Sequence, residues 1–328
     1  MRLHENIELF KQSVRFTGQQ IGLPDIYVEK DYWVTYVLNL IFSHEISSDI
    51  IFKGGTALSK CYKIINRFSE DIDLVALRRE GETDNQLKKK LKTISKLVSD
   101  RLPEIKDYDL THKRGMLRKT AHTYNKEFNG NYGQIRDVVV VEATWFGYHE
   151  PFTSKKVNSF IGEMMLNNGQ EEIAKEYNLF PFDVKVLEPT RTICEKIMSL
   201  VRFSYTNEPI KDLQNKIRHT YDLHFLLGEQ ELSKYFDSKD FTIMLLKVAN
   251  DDIESFKNNN DWLNKHPNNA LIFADLDNVW KELSPTYNNS FKNITYGNFP
   301  SETEILSTLN RIKNRLSQID WNIKTNPQ

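Results

Sequence analysis

The chain has little cysteine, almost no net charge and no long apolar run. Its two cysteines, Cys61 and Cys194, lie far apart and outside any CxxC spacing. That excludes a disulfide framework and a thiolate zinc site, and it points to a reducing compartment. The formal net charge is -1, so no global basic field holds nucleic acid without regard to sequence, and any contact with RNA or DNA has to be local. No apolar stretch approaches the roughly 20 residues that cross a bilayer. The opening Met1-Arg2-Leu3-His4-Glu5-Asn6 carries an early acid and lacks the apolar core of a signal peptide. No internal repeat is visible. The expectation is a cytoplasmic protein with no membrane partner.

What is present reads as an ordinary globular enzyme. With 328 residues, 39% hydrophobic and 27% charged, the chain can bury one generous core or two ordinary ones. Residues 26–42 set Val28, Trp33, Val34, Val37, Leu38 and Ile41 at helical spacing. Asp49-Ile50-Ile51-Phe52-Lys53 predicts a buried strand that stops at Gly54-Gly55, followed by a helix over 56–65. In Ser69-Glu70-Asp71-Ile72-Asp73-Leu74-Val75 a period of two puts Ser69, Asp71 and Asp73 on one face of a strand.

Further on, Leu87, Leu91, Ile94, Val98 and Leu102 mark an amphipathic helix over 85–102, with Lys88, Lys89, Lys90, Lys92 and Lys96 on its solvated face. Segments 123–128 and 135–146 predict a hairpin through Gly130-Asn131-Tyr132-Gly133. Asp183-Val184-Lys185-Val186-Leu187 adds a strand before Pro189, after which the pattern turns helical. A boundary near 190 divides a mixed core, 1–190, from a helical domain, 191–328. The Asn-rich stretch 257–298 predicts irregular loops and short helices. Ser301-Glu302-Thr303-Glu304 is a capping box opening a helix with Ile305, Leu309, Ile312, Leu316 and Ile319 on one side.

The chemistry resides in the strand, Gly54-Gly55-Thr56, helix, Asp71-x-Asp73 order. Glycines let a backbone turn approach a triphosphate, and a helix start presents free amides to anionic oxygens. Two carboxylates pointing the same way are stable as anions chiefly when divalent cations neutralise them, and Mg2+ accepts carboxylate and phosphate oxygens together. The reaction class is nucleotidyl transfer from a nucleoside triphosphate (NTP). Glu142 is the first choice for a third metal ligand, because a glutamate in Val138-Val139-Val140-Val141-Glu142 needs a use; Asp183 and Asp137 compete with it. Ser69 is a candidate nucleotide contact or a plain backbone hydrogen-bond partner, and Lys60 a candidate phosphate contact or a solvated charge.

Phe52-Lys53-Gly54-Gly55-Thr56-Ala57-Leu58-Ser59-Lys60 followed by Arg67-Phe68-Ser69-Glu70-Asp71-Ile72-Asp73-Leu74 resembles the AbiEii nucleotidyltransferase toxin family of bacterial toxin–antitoxin systems. Val28-Glu29-Lys30-Asp31-Tyr32-Trp33 resembles the segment before the family's first strand. Glu195-Lys196-Ile197 resembles its lysine motif, and Arg218-His219 with Tyr221-Asp222-Leu223 its last acidic motif. The resemblance implies an α+β fold: a polymerase-β-like nucleotidyltransferase core, a mixed sheet flanked by helices, with a helical C-terminal domain completing the active site. It implies magnesium and an NTP, a cognate antitoxin, and an RNA acceptor, most plausibly the 3′ end of tRNA.

Lys196 flanks the apolar stripe Ile193, Ile197, Leu200 and Val201, so it is either a triphosphate contact or a snorkelling surface lysine. Arg218 and Asp222, four apart, are either a helical ion pair or, by the resemblance, mark an active-site Asp222 oriented by Lys196. The basic stretch His112-Lys113-Arg114-Gly115-Met116-Leu117-Arg118-Lys119 near Tyr124 and Tyr132 offers cations and stacking surfaces to RNA, or is a solvated loop. Two other readings compete: an acceptor hydroxyl on a protein or small molecule, and a nucleotide-binding module without catalysis.

Overall fold

The computed structural model describes residues 1–106, 108–113, 115–132, 135–145 and 150–325. The chain divides into two compact units. One is made of Met1–Lys63, Arg67–Trp145 and Phe152–Leu187, and the other mainly of Ile64–Asn66 and Glu188–Gln328.

The first unit is built on a mixed sheet of six strands: β1 (Ile50–Lys53), β2 (Ile72–Ala76), β3 (Leu117–His122), β4 (Val139–Thr144), β5 (Phe152–Val157) and β6 (Phe182–Leu187), in the order β3-β4-β2-β1-β6-β5. β1 and β2 run antiparallel, β4 lies parallel to β2, and β6 lies parallel to β1. β3 and β5 close the edges as antiparallel strands. Ile50, Ile51 and Phe52 expose no surface, which is why the sequence of β1 is apolar without alternation: both faces of a central strand are covered.

Helices flank the sheet: α1 (Ile7–Ile21), α2 (Asp25–Phe42), the single turn α3 (Gly54–Ala57), α4 (Asp84–Ser99), α5 (Phe160–Asn167) and α6 (Glu171–Glu176). Their ends follow capping chemistry. The Asn6 side chain accepts the Leu9 N–H, and α1 ends on Gly22 at φ 70°. α4 opens with a Thr83–Gln86 capping box and buries Leu87, Leu91, Ile94 and Val98. Lys90 is not solvated as expected, since it donates to the Leu77 carbonyl and to Glu82.

Three expectations are revised. The helix after the glycines is one α turn that widens into a π turn over Leu58–Tyr62 and stops on Lys63 at φ 56°. β2 starts at Ile72, so Asp71 precedes the strand and Ser69 lies outside it. The hairpin arms are Leu117–His122 and Val139–Thr144, since residues 123–128 form a loop rather than a strand. The reason is visible: the amides of Glu127 and Phe128 donate to the buried Glu29 carboxylate, at 2.7 and 3.3 Å. Amides committed to a carboxylate cannot join a ladder. Gly133 of the expected turn and Phe146 lie outside the described residues.

The second unit is helical: α7 (Pro189–Phe203), α8 (Pro209–Asn215), α9 (Ile217–Gly228), and further helices over Gln230–Asp237, Lys239–Ser255, Leu276–Thr286 and Glu302–Leu316. Pro189 sits in the first turn of α7, where a missing N–H costs nothing. The Ser301–Glu304 capping box forms as its spacing predicts, and Ile305, Leu309, Ile312 and Leu316 are buried. The Asn-rich stretch yields short turns at Asp261–Asn264, Pro267–Asn269 and Leu271–Ala274.

Candidate active site

β1 delivers the chain to Lys53 in extended conformation, and Gly54 then turns it at φ 83°. A Cβ on Gly54 would overlap Asp73 Oδ2, and one on Gly55 would overlap the Arg67 guanidinium. Glycine is required twice over, for the left-handed backbone and for a turn laid against a carboxylate. Thr56 ties the turn to the acids: its hydroxyl donates to the Asp71 carbonyl at 2.6 Å and lies 3.0 Å from Ser69 Oγ. Ser69 therefore supports the turn, and Thr56 is buried.

The strand register lines up four charges. Lys53 pairs with Asp73, Asp73 with Glu142, and Glu142 with Lys119, so a row of cation, acid, acid, cation crosses β1, β2, β4 and β3. Residues directly opposite share a face. Asp71 precedes the row by one pleat. Burial raises the Asp73 carboxyl most, the charges of Glu142 and Asp71 raise it further, and it is pushed up to about 7.

Each flanking acid is held by a cation. Arg136 Nη1 lies 3.0 Å from Asp71 Oδ1, and Lys119 Nζ 2.8 Å from Glu142 Oε2. In this arrangement no three His, Cys, Asp or Glu side chains among the described residues form a metal cage. The donor set itself suits a hard divalent ion. Asp73 and Glu142 share one sheet face with Asp71 just ahead of β2, and burial first, then the charges of the other two acids, drives Asp73 toward protonation. The two competitors stand elsewhere. Asp183 lies three residues before Val186, the partner of Phe52, and so at the far end of β6. Asp137 is bonded to Lys126 at 2.6 Å, outside the strands.

Lys60 is neither a solvated charge nor turned toward the glycine turn. It is buried and bonds the Asp31 carboxylate and, at 3.3 Å, the Asn158 carbonyl. Asp31 belongs to a buried triplet on α2 whose importance sequence reasoning missed. Glu29 accepts the two loop amides, Lys30 bonds Glu70 and the Arg136 carbonyl, and Asp31 accepts Lys60 and the Phe160 amide. Burial pushes Glu70 up and Lys30 down, and their mutual attraction opposes both shifts. Three adjacent charges in a helix apolar all round were the available signal, because such charges are buried only when paired.

In the helical unit, Lys196 Nζ bonds Asp222 Oδ2 at 2.6 Å and lies 3.4 Å from His219 Nδ1. Lys196 is 6% exposed and Asp222 0%, so Lys196 is not a snorkelling surface lysine. Two lysines of the basic stretch are ion-paired, Lys113 with Glu104 and Lys119 with Glu142, while Arg118 donates to the Ser95 hydroxyl; Arg114 lies outside the described residues. Tyr124 is buried against Trp33 rather than offered for stacking.

Comparison with known proteins gives a family and a fold. A family model described as nucleotidyl transferase AbiEii toxin, type IV TA system, matches residues 40–308. A search of curated proteins gives no match. Among solved structures, MenT4, a nucleotidyltransferase toxin from Mycobacterium tuberculosis H37Rv, is similar in fold at a TM-score of 0.60 and 15% identity, over 94% of this chain and 90% of that one.

Proposed function

This chain belongs to the AbiEii nucleotidyltransferase toxin family of type IV toxin–antitoxin systems, and from that premise we propose that it transfers a nucleoside monophosphate from an NTP, with magnesium, to the 3′ end of tRNA in the cytoplasm. The observation that carries this reading is the acid row: Asp73 paired across strands with Glu142, Asp71 beside it, and the Gly54-Gly55 turn against Asp73. Asp71 and Asp73, with Glu142 as third ligand, would hold the divalent ion. When bound it would neutralise phosphate charge and polarise the attacking hydroxyl.

The chain's own residues do the positioning. The side-chain-free turn lets triphosphate oxygens approach the backbone, and Thr56 and Ser69 hold that turn against the strand carrying Asp73. The acceptor oxygen forms a bond to the α-phosphorus as the bond to the pyrophosphate oxygen breaks, and the hydroxyl proton leaves to solvent. Lys196, fixed by Asp222, is assigned to phosphate contact on the strength of the family's lysine and acidic motifs. The antitoxin is the protein partner that the family implies.

A second acceptor class has one observation in its favour. Lys113 and Lys119 of the basic stretch that would meet RNA are held in internal ion pairs, which suits a protein or small-molecule hydroxyl. The test is incubation with Mg2+, total RNA and each α-labelled NTP, with Asp71→Ala and Asp73→Ala alongside. Label in a tRNA-sized band, lost in both variants while their melting stays cooperative, is the expected result. Label in protein or solute moves the acceptor, and full transfer by both variants removes the site.

A further inference from the structure

The acid row carries its own counter-ions, and the backbone around one of them is built to stay still while its side chain moves. The Arg136 N–H donates to Glu70 at 3.0 and 3.2 Å, and its carbonyl accepts the Lys30 ammonium. Lys30 and Glu70 have side chains 0% and 1% exposed. The main chain at Arg136 is thus clamped by two buried ionic groups, whereas its side chain is 30% exposed, with Nη1 3.0 Å from Asp71 Oδ1 and 3.5 Å from Glu70 Oε1. Lys119 repeats the design. Its backbone is fixed in β3, opposite Glu142 and bridged to His112, and its ammonium is 22% exposed.

We propose that Arg136 and Lys119 are displaceable counter-ions: they hold Asp71 and Glu142 in register until a divalent cation takes the carboxylates, and the released guanidinium and ammonium then meet the phosphates of the nucleotide. The inference rests on the metal-dependent reading given above. The physical case is one of relative strength. Partly exposed ion pairs are weak, too weak to withstand a dication that binds several carboxylates at once. The pairs also prevent repulsion among three acids before the ion arrives. Because the backbones are fixed, a freed cation stays on the same face of the sheet, beside the row it has left.

The test is equilibrium binding of Mn2+ to the full chain, free of metal and nucleotide, read as free Mn2+ by electron paramagnetic resonance at pH 8. Wild type, Arg136→Gln, Lys119→Gln, the double variant and Asp73→Asn are compared. Lys126→Gln, which removes a cation that pairs with Asp137 and lies over the Tyr124 and Tyr132 rings, away from the acid row, reports long-range charge effects. Each counter-ion variant is expected to bind Mn2+ about twofold to fivefold more tightly than wild type, with the double variant tighter still and Lys126→Gln unchanged. Binding of a non-hydrolysable NTP in saturating Mn2+ is expected to weaken in the same variants. Wild-type binding that Asp73→Asn abolishes, combined with unchanged or weaker Mn2+ binding in Arg136→Gln and Lys119→Gln, overturns the counter-ion role and leaves the metal site standing. Equal tightening in Lys126→Gln overturns it too. A wild-type chain that binds no Mn2+ overturns the metal reading and this inference together.

Discussion

Gly54 shows how a single residue positions an active site. At φ 83°, with Asp73 Oδ2 where a Cβ would go, it faces two separate penalties on substitution. Gly22 faces only one, because it has φ 70° and nothing within 4 Å. Gly54→Ala is therefore expected to lower the melting temperature and to cut transfer by about 100-fold by moving Asp73, whereas Gly22→Ala loses only about 1 kcal/mol of stability and keeps full activity. Labelled-nucleotide transfer and thermal melts of the two proteins check this; equal activity would detach the turn from the reaction. The Gly-Gly signal was legible in the sequence because few residues tolerate such a turn. The burial of Lys60 was not, since a lysine on a short helix gives no sign of a carboxylate 29 residues earlier.

At the scale of elements, α2 organises what surrounds the acids. Its Lys30 joins Glu70, next to Asp71, with the loop at Arg136, segments 40 and 106 residues away in the chain. Lys30→Met leaves Glu70 buried without its closest cation, Arg136 Nη1 standing at 3.5 Å, and should cost about 3 kcal/mol. Adding Glu70→Leu should restore much of that stability while leaving transfer impaired, because Arg136 loses both clamps. Denaturant melts with parallel transfer assays test this; a double variant as unstable as Lys30→Met would mean the pair is not the source of the cost. The element types of β1, β6 and the last helix followed from periodicity and caps. The hairpin boundaries did not, because amides given to Glu29 override the local strand signal.

For the whole molecule, the buried acids set how stability depends on pH. Burial raises the Glu29 carboxyl from its ordinary 4.5 to about 7, against the opposing pull of the Glu127 and Phe128 amides. A raised acid keeps its proton in the fold where the unfolded chain has already released it. Stability therefore falls as pH climbs from 4.5 through about 7, by up to about 3 kcal/mol from this group. Glu29→Gln should show a shallower decline in unfolding free energy between pH 5 and 8 than wild type; identical slopes would remove Glu29 as the cause. No helix among the described residues is long and apolar enough to cross a membrane.

The glycine turn, the Asp71-x-Asp73 pair and the reaction class were determined by the sequence alone, because each depends on residue identities within one short segment, and the family followed from several such segments in order along the chain. Tertiary structure alone decided that Glu142 stands beside Asp73, that Lys119 and Arg136 hold the flanking acids and that Lys60 is buried, whereas the Lys196–Asp222 bond was already implied by the resemblance. Those relations join residues far apart in the chain. Strand order, register and the need to pair every buried charge set them, and none of these can be read from local spacing.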